Sequence, residues 1–130
     1  MTPAECAVAA ARGAVGARFR SHGRDPAFGL DCVGLAVLAA RAAGFAAPIS
    51  ADYAVRSGDP STAIDAVGLV RTSAPATGDL LLFAAGPAQF HLAVQVPGGI
   101  IHADAMLRRV VERPGVPPWP LVAAWRLRGD

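Results

Sequence analysis

The spacing of apolar positions changes once along the chain. The first half holds alanine-rich runs framed by helix start and stop signals, and from Gly78 onward the apolar residues fall in strand-length blocks. Thr2-Pro3-Ala4-Glu5 predicts a helix start: Thr2 as N-cap, Pro3 at the first helical position and Glu5 reaching back in a capping box. That helix should run to about Val15, with Cys6 packed among its alanines. Residues 20 to 30 are crowded with Gly, Pro and Asp and predict a loop. The run CVGLAVLAARAAG then predicts a second helix, N-capped by Asp31 or a neighbour and ended by Gly44. It is apolar almost all round, which implies a central helix covered on most sides. Residues 45 to 60 read as irregular, and PSTAIDAVGL as a short helix capped by Ser61 or Thr62.

Five strands are predicted after that: 80 to 84, 90 to 96, 99 to 103, 108 to 112 and 121 to 127. The clearest hairpin signal is Pro97-Gly98-Gly99, read as a two-residue Gly98-Gly99 turn that sets Pro97 opposite Ile100. Helices first and strands afterwards predict an α+β fold with a small antiparallel sheet, not the alternating pattern of a parallel one.

Composition narrows this picture. A length of 130 residues at 53% hydrophobic content fits one domain, 1 to 130, with one core. The formal charge of +2 comes from twelve arginines and no lysine, adjacent only at Arg108-Arg109. Such scatter is a solvated surface, so no nucleic-acid partner is expected. Glu5 and Arg12 interrupt the first apolar stretch, so no signal peptide is expected and the chain should be cytoplasmic when made. No apolar run approaches the ~18 residues a bilayer span needs, so membrane insertion is not expected. In a reducing compartment Cys6 and Cys32 should both be free thiols.

Cys32 stands where loop gives way to helix. First-turn amides there favour a thiolate and can donate to the oxyanion formed when it attacks a carbonyl; the plain alternative is packing. Gly29 permits a tight approach before it, and Gly34 leaves room for helix or substrate. A thiol nucleophile needs a base, normally histidine. His22 lies in the loop. His91 shares the less greasy face of its strand with Ala93 and Gln95, and His102 lies on the next strand. The expected turn puts both on one face but four residues apart, about 13 Å at ~3.3 Å per residue. Contact then needs a bulge, twist or shifted register, and otherwise Asp104 or Gln89 is the rival orienter. No CxxC or HxxxH spacing occurs, so neither a metal nor a cofactor is expected.

Four motifs, met in order over about residues 15 to 105, resemble those of the NlpC-type cell-wall peptidases, which are papain-like cysteine hydrolases. They are DCVGL (31 to 35), GDLLLF (78 to 83), HLAVQVPGG (91 to 99) and IHAD (101 to 104). With RFRSHGRDPAFGLDC ahead of the cysteine, the compact form is most similar to peptidases of phage and gene-transfer-agent tail modules. The resemblance implies a papain-like fold with the nucleophile at the start of a central helix packed on the sheet. It implies hydrolysis of peptidoglycan peptide stems, commonly at the γ-D-glutamyl to diaminopimelate bond, through a thioester.

Carried onto this sequence, the resemblance makes Cys32 the nucleophile, His91 the general base and then acid, and His102 the orienting third member. It implies substrate contacts at Asp31, which can bind an amine, and around Val33, Phe19 and His22. Two positions depart from the pattern. Phe19 stands where a tyrosine often supplies an oxyanion donor, and His22 or a backbone amide is the candidate replacement. Val33 stands where a serine usually follows the nucleophile. The implied partners are peptidoglycan stems and tail-hub or tail-tip proteins, with action in the periplasm or cell wall after assembly. A catalytically weak plug module of the same fold, or a thiol acyltransferase, fits the same motifs. Trp125 is expected in the final strand and Trp119 near a contact surface.

Overall fold

The computed structural model describes residues 1–49 and 59–128. Helix α1 (Pro3–Gly13) begins as its sequence dictates: the Glu5 N–H donates to Thr2 Oγ1 at 3.1 Å, and the Thr2 N–H to the Glu5 carboxylate at 2.9 Å. It ends two residues early because the Gly16 N–H, at a φ of +92°, is taken by the Val110 carbonyl at 2.8 Å. The expected loop of residues 20 to 30 contains a minimal hairpin, β1 (Arg24–Asp25) and β2 (Gly29–Leu30). Its tip is tied by Asp25, whose side chain accepts from the Ala27 N–H at 2.9 Å. Helix α2 (Cys32–Ala42) is N-capped by Asp31, and no position from Cys32 to Ala40 is exposed.

Helix α3 (Ser61–Ala66) corrects its expected cap. Pro60 occupies the N-cap without a side-chain bond, and Ser61 is the first helical residue. The Asp59 carboxylate does the capping work instead, accepting from the Ser61 N–H at 2.8 Å and from its hydroxyl. Much of the irregular stretch expected before it, residues 50 to 58, lies outside the described residues. A two-residue strand that the sequence did not announce, β3 (Val70–Arg71), follows.

The sheet is completed by β4 (Leu80–Gly86), β5 (Gln89–Val96), β6 (Gly99–Asp104), β7 (Arg109–Pro114) and β8 (Leu121–Arg126). Its order is β3-β8-β4-β5-β6-β7, antiparallel throughout, and α1 and α2 cover one face, as α+β requires. Leu82, Val94, Ile101 and Trp125 are fully buried on that face. The Trp125 indole N–H is satisfied by Asp65 at 2.8 Å. Leu81, Phe83, Ala93, Ile100 and Ala124 form a second apolar layer on the opposite face, joined by Trp119.

The β5–β6 turn also differs from expectation. Val96 pairs with Gly99, so the turn is Pro97-Gly98, with Gly98 at a φ of +79°. Pro at the first and Gly at the second turn position is what a type II turn requires. Gly99 belongs to the strand, where a Cβ would meet the Arg113 carbonyl oxygen at 2.1 Å.

Candidate active site

Asp31 organises the thiol end of the site. Its Oδ1 accepts from the Gly34 N–H at 2.8 Å, which caps α2, and from Arg24 at 3.2 Å; Oδ2 accepts from the His22 N–H at 2.8 Å. One buried carboxylate therefore ties the residue 22 to 24 loop to the first turn of the helix, and its oxygens serve three donors of the chain itself. His22 takes part through its main-chain amide, at a φ of +61°, while its side chain is exposed. Cys32 follows as the first helical residue.

The histidine end depends on register. With Val94 opposite Ile101, His102 falls level with Ala93, two residues from His91 and ~7 Å along the strand, not the four of the expected turn. Beyond that pair β6 no longer follows β5 but stays paired with β7 as far as Asp104↔Arg109. The sheet opens there, and the rings meet: His91 Nε2 and His102 Nδ1 are 2.7 Å apart, with centroids 4.8 Å apart at 87°. Asp104 is thereby displaced as the rival orienter; its side chain accepts from the Met106 and Leu107 N–H groups at 2.8 and 3.0 Å. Gln89, the other rival, is exposed.

Thiol and imidazoles line one cavity of about 910 Å³, together with Phe19, Asp31 and Val33. His22 is not among the lining residues. The opening between β5 and β6 is what lets α2, on one face of the sheet, share a cavity with side chains that alternate toward the other. At its edge the Leu92 backbone amide, next to His91, is directed at the Cys32 sulfur.

Electrostatics reverse one expectation. Burial pushes the Cys32 thiol above its ordinary value, and the Asp31 charge adds to this; the amides of Leu92, Val33 and Cys32 pull the other way and lose. Burial first, then the neighbouring His102, lowers His91 from 6.5 to about 4, against the pull of Asp104. His102 is also lowered, by burial and then by Arg113, again opposed by Asp104. A neutral thiol and a neutral imidazole lining the same cavity are the resting state these environments favour.

The residue whose place in the site the sequence does not reveal is Trp119. It is half-buried and lines the cavity, with its ring 5.3 Å from His91 and 5.7 Å from His102, both edge to face. Ser21 is also in the lining, and no motif in the sequence marks it. The prolines around Trp119 in PPWP marked a rigid segment, but no local signal said which strand it would return to.

The element order, with a thiol at the start of the buried helix and two imidazoles on adjacent strands, defines an NlpC/p60-type fold. Among solved structures, the NlpC/p60 domain of the peptidoglycan hydrolase SagA superposes with a TM-score of 0.64 at 23% identity, over 94% of this chain and 97% of that one. NlpC2 and NlpC1 from Trichomonas vaginalis superpose at 0.72 and 0.71, with 19% and 20% identity over 99% and 97% of this chain. They cover 48% and 44% of those two proteins, so this chain spans about half their length. No protein-family model matches the sequence, and no curated protein matches it significantly.

Proposed function

We propose that this chain is a cysteine hydrolase that cleaves amide bonds in the peptide stems of peptidoglycan. The observation that carries this reading is the convergence of Cys32 with the hydrogen-bonded His91–His102 pair on one cavity of an NlpC/p60-type fold. His91 spends Nε2 on His102, so Nδ1 is its proton acceptor. Because the thiol is held protonated, His91 takes its proton as the sulfur attacks the carbonyl carbon. The oxyanion meets the Cys32 backbone N–H, with the Ser21 hydroxyl as the donor that Phe19 lacks. His91 then returns the proton to the departing amine. Water, deprotonated by His91, hydrolyses the thioester and frees the thiol.

The bond is the γ-D-glutamyl to diaminopimelate amide, a choice supported by the motif resemblance. The same resemblance supports a setting in a phage-like or gene-transfer-agent tail, docked on tail-hub proteins and acting in the periplasm or cell wall. A second reading, a slow or silent plug module, is favoured by Phe19 in the cavity wall, since losing one oxyanion donor costs ~10²-fold or more.

Incubating the protein with purified peptidoglycan and identifying soluble fragments by mass spectrometry tests these readings. New stem fragments that disappear in Cys32→Ala are expected. Their absence from protein whose Cys32 still alkylates would favour the plug, and amine or alcohol adducts of the stem would mean acyl transfer.

A further inference from the structure

We infer that Trp119 is a positioning residue: its indole holds the His91–His102 pair in one orientation and shields it from water, where a further hydrogen-bond acceptor would otherwise be needed. The inference rests on reading His91 as the base.

A neutral imidazole has one N–H and one lone pair. If His91 presents Nδ1 as acceptor, its Nε2–H donates to His102 Nδ1, and His102 must carry its own proton on Nε2. That nitrogen is buried and has no hydrogen-bond partner among the described residues, in a side chain only 2% exposed. A buried N–H without a partner is a cost and not a tether, so hydrogen bonding at that end does not hold the ring. Packing does. Trp119 meets His91 at 69° and His102 at 74°, edge-to-face arrangements that aromatic quadrupoles favour, and it also touches Phe83 at 5.8 Å.

The indole is itself held. Pro117, Pro118 and Pro120 restrict the backbone around it, and the Ala84 N–H donates to the Pro120 carbonyl at 3.0 Å. On β7 the Arg113 guanidinium lies 5.7 Å from the Trp119 ring. Besides the two imidazoles themselves, the charged and titratable groups around the pair are Asp104 on β6, Arg113 on β7, Cys32 and its neighbour Asp31 at α2, and Asp59 in the cavity lining. Admitting water by removing Trp119 would ease protonation of His91, because burial is the main brake on it.

The test uses full-length Cys32→Ala protein and ¹⁵N NMR of the imidazole nitrogens, so it requires no substrate and stands even if the protein proves inactive on peptidoglycan. With Trp119 present, each ring is expected in one neutral tautomer, with the His102 Nε2–H protected from exchange. In Trp119→Leu, which keeps apolar bulk but no ring, His91 should show mixed tautomers and titrate at least about one pH unit higher. Trp119→Phe should restore most of the tautomer order. Unchanged tautomers and titration in folded Trp119→Leu would overturn the inference. Should that variant fail to fold, rapid exchange of the His102 Nε2–H with Trp119 in place would overturn it just as well, and a protected proton would support it.

Discussion

Gly34→Ala puts the packing of the nucleophile's helix to a quantitative test. Alanine is favoured over glycine inside a helix by about 1 kcal/mol, so local propensity says the variant should be more stable. Tertiary packing says the reverse. A Cβ on Gly34 would lie 2.0 Å from the Gly23 carbonyl oxygen and 3.2 Å from Leu30 Cδ2. Reaching a tolerable contact of about 3.2 Å requires a retreat of about 1.2 Å. The Gly23 backbone is not free to give way, because its own Cα faces the Gly29 carbonyl, where a Cβ would sit at 2.1 Å. Three glycines thus stack α2, the loop and β2 at backbone contact. Overpacking of this kind costs about 1 to 3 kcal/mol, and a backbone obstacle belongs at the upper end. The net expectation is a loss of about 2 kcal/mol, or roughly 8 °C in Tm. The assay is urea unfolding beside Gly13→Ala, where the added methyl meets nothing within 4 Å among the described residues and should be neutral or slightly stabilising. If the protein cleaves peptidoglycan, a shift of about 1 Å in Cys32 should also cost ~10²-fold in turnover. A Gly34→Ala protein as stable as the parent would refute the close approach.

Three further outcomes are expected. Asp31→Ala removes the cap of α2 and the partner of Arg24 and the His22 amide, and should cost about 2 kcal/mol in denaturant unfolding; a loss under half of that would deny the carboxylate its bracing role. Folding lowers His91 from 6.5 to about 4, so the stability it contributes is present above about pH 6.5 and is lost as pH falls through about 4. As pH falls across that window the unfolding free energy of the parent should drop by up to about 3 kcal/mol, and that of His91→Gln by measurably less. Burial raises the Cys32 thiol, so in a Cys6→Ala background its alkylation by iodoacetamide should climb only above about pH 9, and a plateau reached at neutral pH would contradict the resting state described above.

The sequence determined whatever rests on neighbours a few residues apart. The capping box at Thr2 and Glu5, the N-cap at Asp31 and the placement of Cys32 in the first turn of α2 follow from side chains reaching backbone amides two to four residues away. The strand alternation that puts His91 and His102 on one face is equally local. Tertiary structure decided the rest. Whether the two rings touch turned on the hairpin closing at Pro97-Gly98 and not one residue later, and on β6 parting from β5 beyond Ile101, which depends on how β6 pairs with β7. The direction of the Cys32 shift was likewise not legible, since helix amides act within one turn whereas desolvation sums over every element packed around the sulfur. Trp119 shows the same limit. Its prolines announce stiffness, but only the return of the chain onto β4 brings the indole against two histidines that lie 28 and 17 residues earlier in the sequence.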